Sequence, residues 1–299
     1  MEFVGIYIGD DDDIPEYTEV CLKQARYFNS DINIHYICRS KQSYFDDVGV
    51  KWIDLQSISS DLIDKFNDVC WFKREGVPQT SYPSKPMFWH RTAERIYYIQ
   101  AYMEMSGLTN VFHFENDNLI YGDLADVYVE DKIKVLPMSP THTTFGFCFF
   151  PDHKQFGKLC SSMIDTLQMG ERNLLSMGYD HISEMSLLNY AWRHGLVDLL
   201  PIIPEHCDIP FYKKFKNFIF DSASYGQFVG GNNNGDGPGF MNCHSGYYSA
   251  LALQNRDVKI ETARNRKPYI IDKVGKSYEL FNLHLHRKEL AKFAITEVL

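Results

Sequence analysis

The 299-residue sequence has no uninterrupted apolar run long enough to cross a bilayer, a span that takes about 20 residues. Its first residues, Met1-Glu2-Phe3-Val4-Gly5-Ile6-Tyr7-Ile8-Gly9, lack a basic start and run into four aspartates, so no secretory signal is expected. Cysteine is sparse: 7 residues, an odd number, widely spaced and without a C-x-x-C pair. They read as reduced, buried thiols, against a disulfide or zinc framework and in favour of the cytoplasm. Basic residues are outnumbered, 30 against 39 acids, and the net charge of -9 argues against nucleic acid or an anionic membrane as a partner. The G-x-S-x-G elbow, the P-loop and G-x-G-x-x-G are all missing, which leaves no signal for a serine hydrolase, a P-loop nucleotidase or a dinucleotide enzyme. With 23% charged and 15% aromatic residues, the chain has the composition of a folded protein.

What is present alternates between strands and helices. Phe3–Ile8 is an apolar run opening into the polar Asp10–Asp13, as a buried strand ends in a loop. Glu16–Phe28 has helical character, Ile32–Cys38 reads as a second strand and Val50–Ile53 as a third. This βαβ order predicts an α/β fold with a mainly parallel central sheet flanked by helices. Ser84-Lys85-Pro86 signals a helix start; Phe88, Thr92, Ile96, Ile99 and Met103 follow at helical spacing, and Gly107 stops it. Ser183 caps a later helix running to Gly195, Phe218–Asp221 is a short strand ending in an acid, and Tyr278–Leu285 is β-like.

Three groups of residues have the makings of chemistry. Glu115-x-Asp117 directly follows a predicted strand, and ligands of α/β sheets collect beyond the carboxyl ends of strands. Two carboxylates one residue apart there can reach a hard divalent ion such as Mn²⁺ or Mg²⁺. Acid-x-acid triplets are common, about five by chance at this acid content, so the flanking strand carries the specificity. The second group is His284-x-His286-x-Lys288, where both imidazoles fall on one face of an extended segment and either one can complete a metal shell. The plainer reading is a surface strand of alternating polarity. The third is Asp221, followed by Ser222-Ala223-Ser224-Tyr225-Gly226-Gln227 and Gly230-Gly231, small residues that permit close backbone approach. A solvated face is the better reading of the basic stretch Arg264 to Lys276.

Together these segments resemble a GT-A fold glycosyltransferase, in an arrangement covering nearly the whole chain. Phe3–Asp13 resembles the first strand on the nucleotide side, Phe114–Tyr121 the metal-binding D-x-D segment, and Ser183–Leu188 the helix lining the sugar side. The resemblance implies one domain over 1–299, with a nucleotide-binding half (1–125) and an acceptor-side half (126–299) that ends in the metal and phosphate segment. It implies Asp117 as direct metal ligand, Glu115 on the ribose or the metal, His284 or His286 completing the site, and Lys288 on the leaving diphosphate. Gly9, Asp10 and Lys85 are expected beside the nucleotide, and Glu184 or Asp221 as the base or electrostatic stabiliser. A Glu in the first D-x-D position departs from the pattern. The implied reaction moves a sugar from a nucleoside-diphosphate sugar, UDP being the usual carrier, to a glycan acceptor hydroxyl with Mn²⁺ or Mg²⁺. The glycine-rich loop after Phe228 is a candidate lid. The competing expectation is a non-catalytic sugar- or nucleotide-binding module on the same fold.

Overall fold

A computed structural model describes residues 1–9, 14–73, 87–127, 131–179, 181–207, 215, 218–231, 237–239 and 246–298. Asp10 and the rest of the aspartate run, Lys85 with its helix-start signal, and most of the Asn232–Gly239 loop lie outside the described residues.

The strands are β1 (Glu2–Ile6), β2 (Asn33–Cys38), β3 (Val50–Asp54), β4 (Thr109–Phe114), β5 (Asn118–Ile120), β6 (Lys134–Ser139), β7 (His142–Asp152), β8 (Asp198–Leu199), β9 (Phe218–Ile219), β10 (Val258–Thr262), β11 (Pro268–Asp272), β12 (Ser277–Leu280) and β13 (Asn282–His284). The helices are α1 (Tyr17–Phe28), α2 (Phe45–Val48), α3 (Asp61–Val69), α4 (Phe88–Ser106), α5 (His153–Gln168), α6 (Glu171–Ser176), α7 (Glu184–Arg193), α8 (Pro204–Cys207), α9 (Ser224–Gly230) and α10 (Tyr248–Gln254). A seven-stranded sheet runs in the order β3-β2-β1-β4-β7-β6-β8. Its pairs are parallel except where β7 meets β4 and β6, so the mainly parallel α/β sheet expected from the sequence is present, with one reversed strand.

Successive residues of a strand face opposite sides, and here each side is a separate core. On β7, Phe147 and Phe149 join Phe3, Phe112 and Phe114 in the core that α1 covers with Cys21, Leu22 and Ala25. Cys148 and Phe150, and Phe145 from beyond a shift in the β6–β7 register, join Val4 and Val111 beneath α4, α5 and α7, through Ile96, Phe156 and Leu187. Both faces are covered, which explains why these strands read as continuous apolar runs. Helix α4 ends where expected, on Gly107 in the left-handed region (φ 70°), and Ser183 caps α7 by accepting from the Met185 N–H. Cys21, Cys38, Cys70, Cys148, Cys160 and Cys207 are buried, and no disulfide forms among the described residues.

The connection after β4 positions the site. The chain leaves the sheet at Glu115, turns through Asn116 and Asp117, and re-enters an extended course as β5. That strand pairs with β13 rather than with the large sheet, in antiparallel register with His284 opposite Asn118 and Asn282 opposite Ile120. A four-stranded sheet, β10-β11-β12-β9, carries the C-terminal segment up to this point. Among the described residues, no helix is long and apolar enough to cross a membrane.

Candidate metal centre

Glu115 and Asp117 lie just past the end of β4, at the edge where β1 ends at Ile6; the Asn116 side chain donates to the Ile6 carbonyl at 3.4 Å. The Glu115 N–H donates to the Gly146 carbonyl at 3.1 Å, which keeps the turn tied to β7. From the opposite strand, His284 projects its Nε2 between the two carboxylates, 2.9 Å from Glu115 Oε2 and 3.2 Å from Asp117 Oδ1. Asp117 is buried, and its other oxygen pairs with Lys288 Nζ. The other Glu115 oxygen pairs with Arg95, which reaches across from α4.

The register of β5 against β13 gives the two histidines different surroundings. His284 is the imidazole that meets both acids; among the described residues, Glu115, Asp117 and His284 form a group able to hold a metal ion. His286 lies beside it, ring centroids 4.9 Å apart, with its Nδ1 3.0 Å from the Gln227 side-chain amide nitrogen. Lys288 is turned back toward Asp117 by a left-handed backbone (φ 63°), and its N–H donates to the Leu285 carbonyl at 3.0 Å.

The charges hold one another in unusual states. Burial works against ionised Glu115, yet Arg95 and His284 keep it well below the usual carboxylate range. Burial opposes ionisation of Asp117 too, and Lys288 with His284 more than offsets it. Burial likewise disfavours a charged His284, but the Asp117 and Glu115 carboxylates raise it to about 10. Burial and the neighbouring His284 charge push His286 down to about 3, so its ring is neutral.

The donor set fits a hard divalent cation. Cis ligands of an octahedral ion with bonds of about 2.1 Å stand about 3 Å apart, which matches the 2.9 and 3.2 Å separations around His284 Nε2. Two carboxylates and one imidazole suit Mn²⁺ or Mg²⁺ better than a thiophilic ion. Gly146 leaves the ring its space: a Cβ there would lie 3.2 Å from His284 Nδ1.

The remaining predicted residues fall in different places. Glu184, first residue of α7, is 4% exposed and accepts from the Thr92 hydroxyl at 3.2 Å. Burial raises its carboxyl to about 7 against the pull of the nearby Arg95. Arg95 therefore sits electrostatically between Glu115 and Glu184, both of which favour its charge. Asp221 is fully buried, and its two oxygens are taken by four backbone N–H groups. Lys267 and Lys273 of the basic stretch pair with Glu279 and Asp257 at 2.6 and 3.6 Å. Sequence reasoning missed Arg95 altogether and read Thr92 as a core position. The available signal was a charged residue within a helix whose neighbours Glu94, Ile96 and Tyr97 are all buried.

No protein-family model matches the chain, and no curated protein matches it. Among solved structures it is similar to mouse xyloside xylosyltransferase 1 in its apo form (10% identity, TM-score 0.43, covering 72% of this chain and 93% of that one). It is also similar to the galactosyltransferase LgtC in complex with donor and acceptor sugar analogues (13% identity, TM-score 0.43, 73% and 83% covered). A third is the PaToxG glycosyltransferase (15% identity, TM-score 0.39, 64% and 69% covered).

Proposed function

We propose that this chain is a GT-A type glycosyltransferase that moves a sugar from a nucleoside-diphosphate sugar to a glycan hydroxyl, with Mn²⁺ or Mg²⁺ held by Asp117, Glu115 and His284. The observation that carries the reading is the convergence of Glu115 Oε2, Asp117 Oδ1 and His284 Nε2 at the sheet edge, with Lys288 on the same aspartate. When bound, the cation supplies Lewis-acid stabilisation to the departing diphosphate. Lys288 adds a positive charge where that negative charge develops. Glu184, buried and with its pKa near 7, has the environment of a group that takes a proton from a hydroxyl or faces a cationic sugar. In this reading Gly9 borders the nucleotide, UDP is the expected carrier, and residues 1–125 and 126–299 divide donor and acceptor work.

A melting-temperature screen against nucleoside-diphosphate sugars with and without Mn²⁺ tests the reading, since a ligand of the native state raises its apparent stability. Metal-dependent stabilisation with transfer or slow donor hydrolysis supports it; binding without turnover for any donor supports the non-catalytic module instead.

The two histidines separate cleanly. His284→Ala should raise the Mn²⁺ concentration for half-maximal donor binding at least about 10-fold, while His286→Ala leaves it unchanged. Equal effects would remove His284 from the ligand set. Because His284 Nε2 must give up its proton before it can bind a cation, Mn²⁺ binding at pH 7.5 should release about one proton. Calorimetry in buffers of different ionisation enthalpy reads this number, and it should vanish in His284→Ala.

A further inference from the structure

The turn after β9 is organised by one carboxylate. Asp221 Oδ1 accepts from the N–H groups of Ala223 at 2.8 Å and Tyr225 at 3.0 Å. Its Oδ2 accepts from Gly226 at 2.8 Å and from His284 at 2.9 Å. Three of these donors are local and shape the start of α9. Ala223 among them sits at φ 120°, a region a non-glycine residue avoids without support. The fourth donor is the main chain of the metal-site histidine, 63 residues away.

Local needs do not account for this arrangement. A neutral Asn or Ser can cap a short helix, whereas a fully buried carboxylate is costly unless each oxygen is satisfied. Here the second oxygen spans the gap to β13. Gly226 serves the same contact from the side: a Cβ on it would lie 1.8 Å from the His284 carbonyl oxygen and 3.1 Å from Asp221 Oδ2. Asn282 locks the far end. Its side chain accepts from the Asp221 N–H at 2.9 Å and donates to the Asp221 carbonyl at 3.0 Å and to Asn118 Oδ1 at 2.9 Å. The β5–β13 ladder has three paired positions, continued by the Leu285 N–H on the Asp117 carbonyl and the Tyr121 N–H on the Phe281 carbonyl, both at 2.8 Å, while the N–H of His284 itself goes to Asp221.

We propose that Asp221 and Gly226 are positioning residues for the metal centre, holding the His284 backbone so that Nε2 meets Glu115 and Asp117. This rests on the metal reading proposed above. Asp221 thereby has a task other than that of a base: all its hydrogen-bonding capacity toward His284 is spent on the main chain.

The test is Mn²⁺ binding followed by the paramagnetic signal of the free ion, alongside thermal melts. It compares wild type, Asp221→Asn, Gly226→Ala, His284→Ala and the Asp221→Asn/His284→Ala double variant. Asp221→Asn can keep one oxygen on the local turn but turns an amide NH₂ toward the Gly226 and His284 donors. It should weaken Mn²⁺ binding about 10- to 100-fold while melting cooperatively. Gly226→Ala, which alters no polar group but pushes the His284 carbonyl aside, should weaken it in the same range, and it carries the test if Asp221→Asn does not fold. In the His284→Ala background Asp221→Asn should cost nothing more. Wild-type Mn²⁺ affinity in a folded Asp221→Asn or Gly226→Ala, or fully additive losses in the double variant, overturns the inference alone. Failure of the wild-type protein to bind Mn²⁺ overturns the metal reading and this one with it.

Discussion

Asp117→Asn should lower metal-dependent transfer by at least about 10³-fold, with the protein still folded. The substitution keeps the size of the side chain and one acceptor oxygen, but removes the charge that Lys288 and His284 both face. Neither partner is stranded in an apolar core, since the Lys288 side chain is 37% exposed and His284 retains Glu115. The loss should appear as an absent Mn²⁺ response in donor binding as well as in rate. Glu115→Gln is the informative comparison. Glu115 divides its oxygens between His284 and Arg95, so the Gln variant can keep its carbonyl on Arg95 and should lose less than Asp117→Asn. If Asp117→Asn transfers sugar at the wild-type rate, no cation at this aspartate takes part.

Most of what frames this site was legible in the sequence because it depends on local patterns. The apolar run Phe3–Ile8, the acids after Phe114, the stop at Gly107 and the cap at Ser183 each follow from periodicity or capping, and β1, β4, α4 and α7 are found there. What pattern does not carry is pairing between distant segments. On an extended segment His284 and His286 are equivalent by period, and only the register that sets His284 opposite Asn118 separates them. Arg95 was hidden for a related reason. A helix wheel shows which face is apolar, but not that a half-buried arginine will find a carboxylate 20 residues on. Asp221 was legible as a candidate, but not the partners its carboxylate has in the fold. An acid after a strand signals a loop carboxylate, whereas the four backbone donors converging on it come partly from β13.

Glu184 should show itself in the pH dependence of both stability and rate. Burial raises its pKa from 4.5 to about 7, with Arg95 opposing. A carboxyl whose folded-state pKa is raised binds its proton more tightly in the folded chain, so stability is full below the unfolded pKa and falls as pH rises from about 4.5 to 7. That gap, at about 1.36 kcal/mol per pH unit, amounts to about 3 kcal/mol. Glu115 and Asp117 run the other way: their depressed pKa values add stability that is present above pH 4.5 and lost in acid. The two trends overlap in a raw stability curve, so the useful quantity is the difference between wild type and Glu184→Gln from denaturant melts. It should move by about 3 kcal/mol in favour of the variant between pH 4.5 and 8 and be flat on either side. Stability alone would make Glu184 a buried oddity; the rate assigns it work. If its carboxylate accepts the acceptor proton or faces the cationic sugar, Glu184→Gln should lose about 10²- to 10⁴-fold in kcat while becoming the more stable protein at neutral pH. The wild-type rate should then rise through pH 7 as the carboxyl ionises. A variant that is stabilised as expected but transfers sugar at full rate would leave the acid in the fold and take it out of the reaction.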